Sequence, residues 1–278
     1  MTHHNDHIGP YWPGYTGIAN MVIFGDSYSS IGYPNFYPRP DKDHPLGSPA
    51  PSYYWTDGKD KPNWVGHLVE KHKGNPDLLV YNYAVGGDDV RALEHQVKKR
   101  FLPNVGKQPE WAPWKSDNTL FVTWIGINDC AMLRSDQAIE EAQQKLFGLQ
   151  QEIYEEGGRN FLFIDIPPMT KSPAFRGNTG SLVGRVYEKW NETLRKNVKA
   201  FLSENEDVTT MILSSFDFFN LIFKTPSEYG FDEKDIRRRF GPVWADHIHP
   251  TTRMHELFAG RVNEFLRSYP VGVTARTE

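Results

Sequence analysis

The sequence predicts an α/β protein: a three-layer α/β/α sandwich with a central, mostly parallel sheet of five strands. Five short apolar runs have the length and composition of buried strands, and stretches with the spacing of amphipathic helices separate them. Strands that alternate with helices along a chain form a parallel sheet covered by helices on both faces. In open sheets of this kind, functional sites lie at the carboxyl ends of the strands.

The five predicted strands are rich in branched and aromatic residues and cover residues 21–24, 78–84, 120–125, 161–166 and 211–214. Apolar residues recur at helical spacing over residues 64–71, 90–101, 137–154, 183–202 and 254–266. There is no internal repeat, low-complexity segment or interdomain linker. The alternation therefore predicts one domain over residues 1–278, with its core in residues 18–266.

A long loop over residues 32–62 interrupts this alternation. It is rich in proline and contains the aromatic run Tyr53-Tyr54-Trp55; its prolines are Pro34, Pro38, Pro40, Pro45, Pro49, Pro51 and Pro62. Loops of this length within compact domains are usually functional or disordered, and the aromatic residues argue against disorder. We expect the loop to form a shaped, fairly rigid rim around a site.

Composition and charge limit the classes of partner. The mean hydropathy is -0.59, and no apolar run approaches the roughly 20 residues that a membrane-spanning helix needs. A net charge of -4 and a pI of about 6.2 provide no basic surface for nucleic acid, so a small or neutral substrate fits better. The oligomeric state is left open.

Cysteine usage and the amino terminus bear on the compartment. Cys130 is the only cysteine, so no intrachain disulfide and no cysteine-ligated zinc site can form. The first residues lack the basic start and apolar stretch of a signal peptide, which favours an intracellular protein. The alternative is a secreted protein whose leader has been removed. Asn191-Glu192-Thr193 is a glycosylation sequon in a predicted helix, a pattern that often arises by chance.

A candidate nucleophile stands directly after the first predicted strand, in Gly25-Asp26-Ser27. Where a strand gives way to a helix, a serine hydroxyl faces the site while nearby backbone amides point toward developing negative charge. Gly-Asp-Ser is also an ordinary turn or helix-cap sequence. The tripeptide alone therefore favours a turn.

A candidate general base stands near the other end of the chain, in Asp246-His247-Ile248-His249. An aspartate three residues before a histidine can lie close enough to accept the imidazole proton, which fixes the tautomer that a general base needs. His247 is the competing histidine, and its ordinary role would be a hydrogen bond within the loop.

Two further segments follow predicted strands. Gly86 and Gly87 offer backbone N–H groups that can approach an oxyanion without side-chain hindrance, and Asn128 offers a side-chain amide. Taken singly, a strand-ending turn and a helix cap are the simpler interpretations.

Together the four segments supply a nucleophile, two oxyanion donors and an Asp–His pair at one edge of the predicted sheet. In order and spacing, over residues 18–266, they resemble the four sequence blocks of the SGNH (GDSL-like) hydrolase superfamily. The resemblance implies a flavodoxin-like fold and no metal or organic cofactor. It implies catalytic roles for Ser27, Asp246 and His249, and an oxyanion hole formed by Ser27, Gly87 and Asn128. Gly87 is preferred to Gly86 because Gly87-Asp88 matches the family's Gly-Asp or Gly-Ala pair.

Tyr28 stands where the superfamily's older name has leucine. With Ser29 and Ser30, and with the segments 62–65 and 82–87, it is similar to the fungal acetylesterases of carbohydrate esterase family 16. This resemblance implies a serine carboxylic ester hydrolase that works through an acyl-enzyme and deacetylates carbohydrates or other short-chain esters. Its partner would be a small-molecule ester or an acetylated saccharide. The alternatives are a lipase or aryl esterase of the same superfamily and, from another class, a non-catalytic carbohydrate-binding protein.

Aromatic residues near these segments are candidates for contact with the substrate. Tyr28, Trp64, Trp124 and Trp244 could line a binding site, and Trp55 could also stack against a sugar or an aromatic alcohol. Burial in the core is an equally good interpretation of each tryptophan.

Two other hydrolase classes fit the sequence less well. No Gly-x-Ser-x-Gly segment occurs, so the common α/β-hydrolase arrangement is excluded. A metal hydrolase could draw ligands from Asp246, His247, His249 and His255, but there is no His-Glu-x-x-His helix. The serine mechanism is therefore favoured.

Overall fold

The computed structural model describes residues 6–32, 39–47, 54–175 and 182–272. Within these residues one parallel sheet contains β1 (Asn20–Gly25), β2 (Leu79–Asn82), β3 (Thr119–Trp124), β4 (Asn160–Ile164) and β5 (Thr209–Leu213). The order across the sheet is β2-β1-β3-β4-β5. Nearly every strand residue is buried, as expected for a sheet covered on both faces. The predicted fold class is confirmed.

The principal helices are α1 (Trp64–His67), α2 (Val90–Glu94), α3 (Ile127–Met132), α4 (Asp136–Glu155), α5 (Leu182–Glu204), α6 (Ser215–Lys224) and α7 (Thr252–Arg267). Helices α1 and α2 continue directly into π-helical segments, Leu68–His72 and His95–Phe101. The five predicted helices are present with shifted ends, whereas α3 and α6 were not predicted. Both follow a strand after only one or two residues, so the apolar pattern does not separate them from it.

The order in which the chain adds strands to the sheet reverses after β2. The chain passes from β1 outward to β2 and then back across β1 to β3, so its crossovers run in opposite directions. Right-handed crossovers in opposite directions place their helices on opposite faces. Accordingly α1 packs against α7, whereas α4 packs against α2 and α5. In open α/β sheets such a reversal places a ligand-binding crevice at the carboxyl ends of the strands concerned, which here are β1 and β3.

Polar side chains fix the helices that border this crevice. Asn63 caps α1, Asp89 caps α2 and Thr251 caps α7, each by accepting a hydrogen bond from a backbone N–H of the first turn.

The long loop is described over residues 39–47 and 54–62, and these parts contain no helix or strand. Pro34, Pro38, Pro49, Pro51 and Tyr53 lie outside the described residues. The second part is fastened to the start of α7, because Asp57 Oδ1 accepts the N–H of Thr252 at 2.7 Å. This end of the loop therefore lies beside the crevice.

Two other observations concern the surface and the sequon. None of the described helices combines the length and the apolarity that crossing a bilayer requires. Asn191 is buried, and its side-chain amide makes two 2.9 Å hydrogen bonds with the backbone N–H and carbonyl of Ile166. In the folded chain the sequon asparagine is therefore inaccessible to a glycan.

Candidate active site

Ser27 lies two residues beyond β1, in a tight turn. The carbonyl of Asp26 accepts the N–H groups of Ser29 and Ser30, and Asp26 Oδ1 accepts the N–H of Tyr28 at 3.0 Å. The expectation that Ser27 stands where strand gives way to helix is wrong, because this segment is a turn and α1 begins only at Trp64. The turn still presents the serine at the carboxyl edge of the sheet.

Three buried side chains from other segments hold this turn. Asn82, the last residue of β2, donates to the carbonyl of Ser29 at 2.8 Å, and Asn63 donates to the carbonyl of Ser30 at 2.9 Å. The indole N–H of Trp64 donates to Ser29 Oγ at 3.1 Å. These contacts fix the conformation around the serine, and none of the three uses the Ser27 hydroxyl.

His249 joins Ser27 to Asp246. Its Nε2 lies 2.9 Å from Ser27 Oγ, and its Nδ1 lies 2.7 Å from Asp246 Oδ2. An ionised carboxylate only accepts, so Nδ1 carries the proton and Nε2 is left to accept from the serine hydroxyl. A serine, a base and an orienting acid thus form one hydrogen-bonded line, the arrangement that nucleophilic catalysis requires.

Asp246 is held as a carboxylate by its neighbours. Partial burial opposes ionisation, but hydrogen bonds from the His249 side chain and from the N–H groups of His249 and Ile248 outweigh it and keep the pKa of Asp246 well below its usual range. Asp246 Oδ1 accepts both backbone N–H groups, which holds the loop from Asp246 to His249 in a turn. Asp246 Oδ2 is left to accept from the imidazole.

His247 does not share this position. Its side chain is 54% exposed, and its Nδ1 lies 3.8 Å from Asp246 Oδ1, which is beyond a hydrogen bond. Its carbonyl accepts the N–H of Ala174 at 2.9 Å, so its contribution is to the loop. Of the two histidines, only His249 contacts Ser27.

The two candidate glycines differ in their surroundings. Gly87 has a φ of +86°, which favours glycine, and a side chain placed there would meet no atom within 4 Å. A β-carbon at Gly86 would instead lie 2.5 Å from the Trp55 ring. Gly87 thus borders open space and Gly86 is covered, which fits the choice of Gly87 as the oxyanion donor.

Asn128 lies in the first turn of α3 but does not cap that helix. Its Nδ2 donates to the carbonyl of Asp88 at 2.9 Å, so it bridges the end of β3 to the loop that carries Gly87. A primary amide has a second N–H, which this bond leaves available. Gly126 has a φ of +125° and packs tightly against Trp190, which fixes the entry of the chain into α3.

The backbone N–H groups of Ser27 and Gly87 donate to no acceptor within the described part of the chain. Backbone donors left unpaired beside a nucleophile form a cradle for an oxygen that acquires negative charge. Together with the second N–H of the Asn128 amide, these groups are the candidate donors of an oxyanion hole.

Buried carboxyl groups lie behind these donors. Burial is the largest cause that raises the pKa of Asp26 to about 7, with the charges of Asp129 and Asp88 adding to it. Burial likewise raises the pKa of Asp129 to about 6. One oxygen of each of these two carboxyls lacks a hydrogen-bond partner among the described residues.

The four predicted substrate-contacting aromatics are all buried, which contradicts that prediction. Tyr28, Trp64, Trp124 and Trp244 are at most 1% exposed and pack in the core. The Tyr28 hydroxyl donates to the carbonyl of Ile248 at 2.5 Å, so it ties the serine turn to the histidine loop. The indole N–H of Trp244 donates to the carbonyl of Ile236. These rings support the site from behind.

Trp55 is the aromatic residue that does reach the site. Its ring centroid lies 5.1 Å from that of His249 at an angle of 31°, and it also covers Gly86. The residue is only partly buried and comes from the long loop. It therefore forms a wall beside the base, as expected of the aromatic rim.

The four residues proposed as metal ligands do not gather around one point. His249 uses both ring nitrogens for Ser27 and Asp246, and His255 is buried against the Tyr28 ring. No group of three or more His, Cys, Asp or Glu within the described ranges is arranged to hold a metal ion.

Sequence reasoning missed several residues that shape the site. Asn63 and Asn82 stand in segments that carried the resemblance, but their roles in holding the turn were not apparent. Gln96, which hydrogen-bonds Gly25, had no signal at all, because the two residues are 71 positions apart.

Comparison with known proteins agrees with this geometry. The model of the family described as GDSL-like Lipase/Acylhydrolase matches residues 21–262. An acetylesterase from Thermothelomyces thermophilus is 30% identical over 265 residues, covering 87% of this chain and 86% of that protein. A thermolabile hemolysin from Vibrio parahaemolyticus is 25% identical over 290 residues, covering 89% of this chain and 63% of that protein.

The solved structures show the same fold. An acetylxylan esterase from Geobacillus stearothermophilus aligns with a TM-score of 0.54 at 15% sequence identity, covering 92% of this chain and 97% of that chain. The family match spans most of the sequence and includes all four segments with candidate site residues. The chain therefore belongs to the GDSL-like lipase/acylhydrolase family and is a carboxylic ester hydrolase.

Proposed function

We propose that this hydrolase removes acetyl groups from carbohydrates or other short-chain esters, with Ser27 as nucleophile, His249 as base and Asp246 orienting the base. The observation that carries the mechanism is the continuous hydrogen-bonded line from Asp246 through His249 to Ser27 Oγ. The acetyl preference is supported by the similarity to the Thermothelomyces acetylesterase and by the Trp55 ring, which lies against the ring of His249 with 5.1 Å between their centroids.

The first half of the reaction acylates the serine. His249 Nε2 takes the hydroxyl proton as Ser27 Oγ bonds to the ester carbonyl carbon, and the carbonyl oxygen becomes an oxyanion. The N–H groups of Ser27 and Gly87 and the free amide N–H of Asn128 stabilise that charge. The tetrahedral intermediate then expels the alcohol, to which His249 returns the proton.

The second half releases the acyl group. Water attacks the acyl-enzyme while His249 takes one of its protons, and the same donors hold the second oxyanion. Collapse of this intermediate frees acetate and restores the serine hydroxyl. Throughout, the Asp246 carboxylate holds the imidazole by Nδ1 and stabilises its protonated form.

A fluorophosphonate probe tests the nucleophile, because a base-activated serine beside an oxyanion hole attacks such reagents readily. The native protein should be labelled at Ser27, and Ser27→Ala should lose both labelling and esterase activity. Ser30→Ala is the matched control, since it removes a hydroxyl from the same segment while His249 Nε2 contacts Ser27 Oγ. Labelling that persists in Ser27→Ala moves the nucleophile elsewhere.

A second experiment tests the acyl preference. Acetyl and octanoyl esters of one alcohol are compared first, and acetyl esters of a saccharide, an aliphatic and an aryl alcohol are compared next. We expect a higher kcat/KM for acetate than for octanoate and the highest value for the acetylated saccharide. Faster hydrolysis of octanoate would assign the chain to the lipases of its family while leaving the serine mechanism intact.

A further inference from the structure

Gln96 lies in the π-helical segment that continues α2, and its side chain is fully buried. A buried amide costs free energy unless its polar atoms are hydrogen-bonded. π-helical turns often occur at functional sites, because the wider turn redirects side chains. The position of Gln96 therefore raises the question of what its amide holds.

The amide joins the strand of the nucleophile to the loop of the oxyanion donor. Gln96 Oε1 accepts the N–H of Gly25 at 3.0 Å, and Nε2 donates to the Gly25 carbonyl at 2.7 Å. Nε2 also donates to Asp88 Oδ2 at 2.8 Å. Gly25 is the last residue of β1, two positions before Ser27, and Asp88 directly follows Gly87. Both amide hydrogens and the amide oxygen are thus engaged.

The connection extends to the third donor. The carbonyl of Asp88 accepts the Asn128 amide at 2.9 Å, so Asp88 is held by Gln96 through its side chain and in turn holds Asn128 through its backbone. Gln96, which lies outside the four sequence blocks, is therefore linked to β1 before Ser27, to the loop that carries Gly87 and, through Asp88, to Asn128.

We propose that Gln96 is a positioning residue for ester hydrolysis, which holds the Gly87 N–H and the Asn128 amide in register with Ser27. The inference rests on the proposed function, because it takes Gly87 and Asn128 as oxyanion donors. Stabilisation of an oxyanion depends on donors placed for the transition state, so a small displacement of the loop affects turnover more than substrate binding.

A purely structural role predicts a different result. If Gln96 only provides hydrogen-bond partners for the Gly25 backbone at the end of β1, its loss lowers the stability of the fold. The folded fraction then keeps normal turnover and normal affinity for a transition-state analogue. If Gln96 positions the donors, kcat falls and KM does not.

The test uses Gln96→Leu, which keeps the side-chain volume and removes every hydrogen bond. We expect kcat for an acetate ester to fall by roughly ten- to a hundred-fold with KM changed less than about two-fold. The inhibition constant of 1,1,1-trifluoroacetone, which adds the serine to give a tetrahedral oxyanion, should rise by about the same factor as kcat falls. Gln150→Leu is the matched control, because that buried glutamine lies on α4 against Thr123. It should keep kcat, and its unfolding free energy should change little, since the buried Gln150 Nε2 has no hydrogen-bond partner among the described residues.

Gln96→Glu supplies a second readout. Its carboxylate can accept the Gly25 N–H but faces the Gly25 carbonyl and the Asp88 carboxylate, so it needs a proton to replace the lost donors. Its kcat relative to the native enzyme at the same pH should therefore be lower at pH 8 than at pH 6.

Normal kcat and inhibition constant in folded Gln96→Leu, or a Gln96→Glu deficit that does not vary with pH, would overturn the inference. If Gln96→Leu fails to fold, the pH profile of Gln96→Glu decides alone. Ser27→Ala separates this outcome from failure of the proposed function: an inactive Ser27→Ala beside an unaffected Gln96 variant refutes only the role of Gln96, whereas an active Ser27→Ala refutes the function beneath it.

Discussion

Two aspartates occupy equivalent places in the sheet and have different surroundings. Asp26 follows β1 and Asp165 follows β4, both are fully buried, and burial is the largest cause that raises the pKa of each, to about 7 and about 6 respectively. The Asp165 carboxylate accepts from Arg195, Ser214 and the N–H of Phe216, at 2.8 to 2.9 Å. Asp26 accepts the N–H of Tyr28, and its second oxygen has no partner among the described residues.

The difference indicates which strand end is functional. Around Asp165 the polar groups satisfy one another and tie β4 to α5 and α6, which is a structural arrangement. Beyond Asp26, the N–H groups of Ser27 and Gly87 have no acceptor among the described residues. His249 Nε2 hydrogen-bonds the Ser27 hydroxyl. Buried polar groups are normally paired, so donors left open in a crevice are better evidence of a binding site than a buried charge alone.

The largest effect should come from His249→Ala, which removes the base at the β1 end. We expect kcat to fall by at least roughly 10⁴-fold, because Ser27 then lacks a proton acceptor. His247→Ala, the matched control on the same loop, should retain most of the activity. Steady-state kinetics of the two variants checks this, and the reverse pattern would assign the base to His247.

Asn128→Ala should have the next largest effect. If the amide donates to the oxyanion as charge develops, kcat falls by roughly a hundred- to a thousand-fold, about 3–4 kcal/mol, with little change in KM. The loss of its bond to the Asp88 carbonyl should cost only about 1 kcal/mol of unfolding free energy. Kinetics and thermal melts on one purified variant measure both quantities. A destabilised variant with normal kcat would remove Asn128 from the site.

Asp165→Ala tests the other side of the comparison. It leaves Arg195, Ser214 and the Phe216 N–H without their shared acceptor, although the Arg195 side chain is 37% exposed and can be rehydrated. Losing these hydrogen bonds to a carboxylate should cost about 2 kcal/mol of unfolding free energy. The folded variant should hydrolyse acetate esters at the native kcat. Chemical denaturation followed by kinetics at a temperature where the variant is folded measures both. A large fall in kcat would show that the two strand ends are coupled.

The sequence was sufficient for the sheet and for the line of Ser27, Asp246 and His249. Buried strands in a parallel sheet appear as continuous apolar runs, and the predicted runs coincide with the strands to within a few residues. Three of the four segments with candidate site residues follow predicted strands, and the fourth carries an aspartate three residues before a histidine. Residues far apart in sequence could therefore be placed together at the carboxyl edge of the sheet.

The supporting residues could not be predicted in the same way. Trp64, Trp124 and Trp244 are apolar rings whose sequence context is the same for a core position and for a substrate platform, and only the packing shows that they are in the core. Gln96 acts across 71 residues, and no local pattern marks a glutamine that bonds a distant backbone. Trp55 could be named as an aromatic loop residue, but its place over His249 depends on how the loop folds back.

The smallest effect, and the one that compares the two aspartates most directly, concerns the pH dependence of stability. Burial raises the folded-state pKa of Asp26 to about 7 from its usual 3.8, so its contribution to stability is fully present below about pH 4 and is lost as the pH rises toward 7. Asp26→Asn keeps an oxygen to accept the Tyr28 N–H and cannot ionise. The unfolding free energy of the variant relative to the native protein should therefore increase by about 1–3 kcal/mol between pH 4 and pH 7.

Asp41→Asn is the control, because the backbone and side-chain hydrogen bonds of His44 lower the pKa of that exposed carboxyl. The stability of this variant relative to the native protein should not increase with pH. Urea denaturation at several pH values measures the trend. A difference between Asp26→Asn and the native protein that stays constant over this range would mean that Asp26 is already ionised in the folded state at pH 4. Its second oxygen would then have a partner that compensates for burial more fully than Arg195 does for Asp165, whose pKa is still raised to about 6.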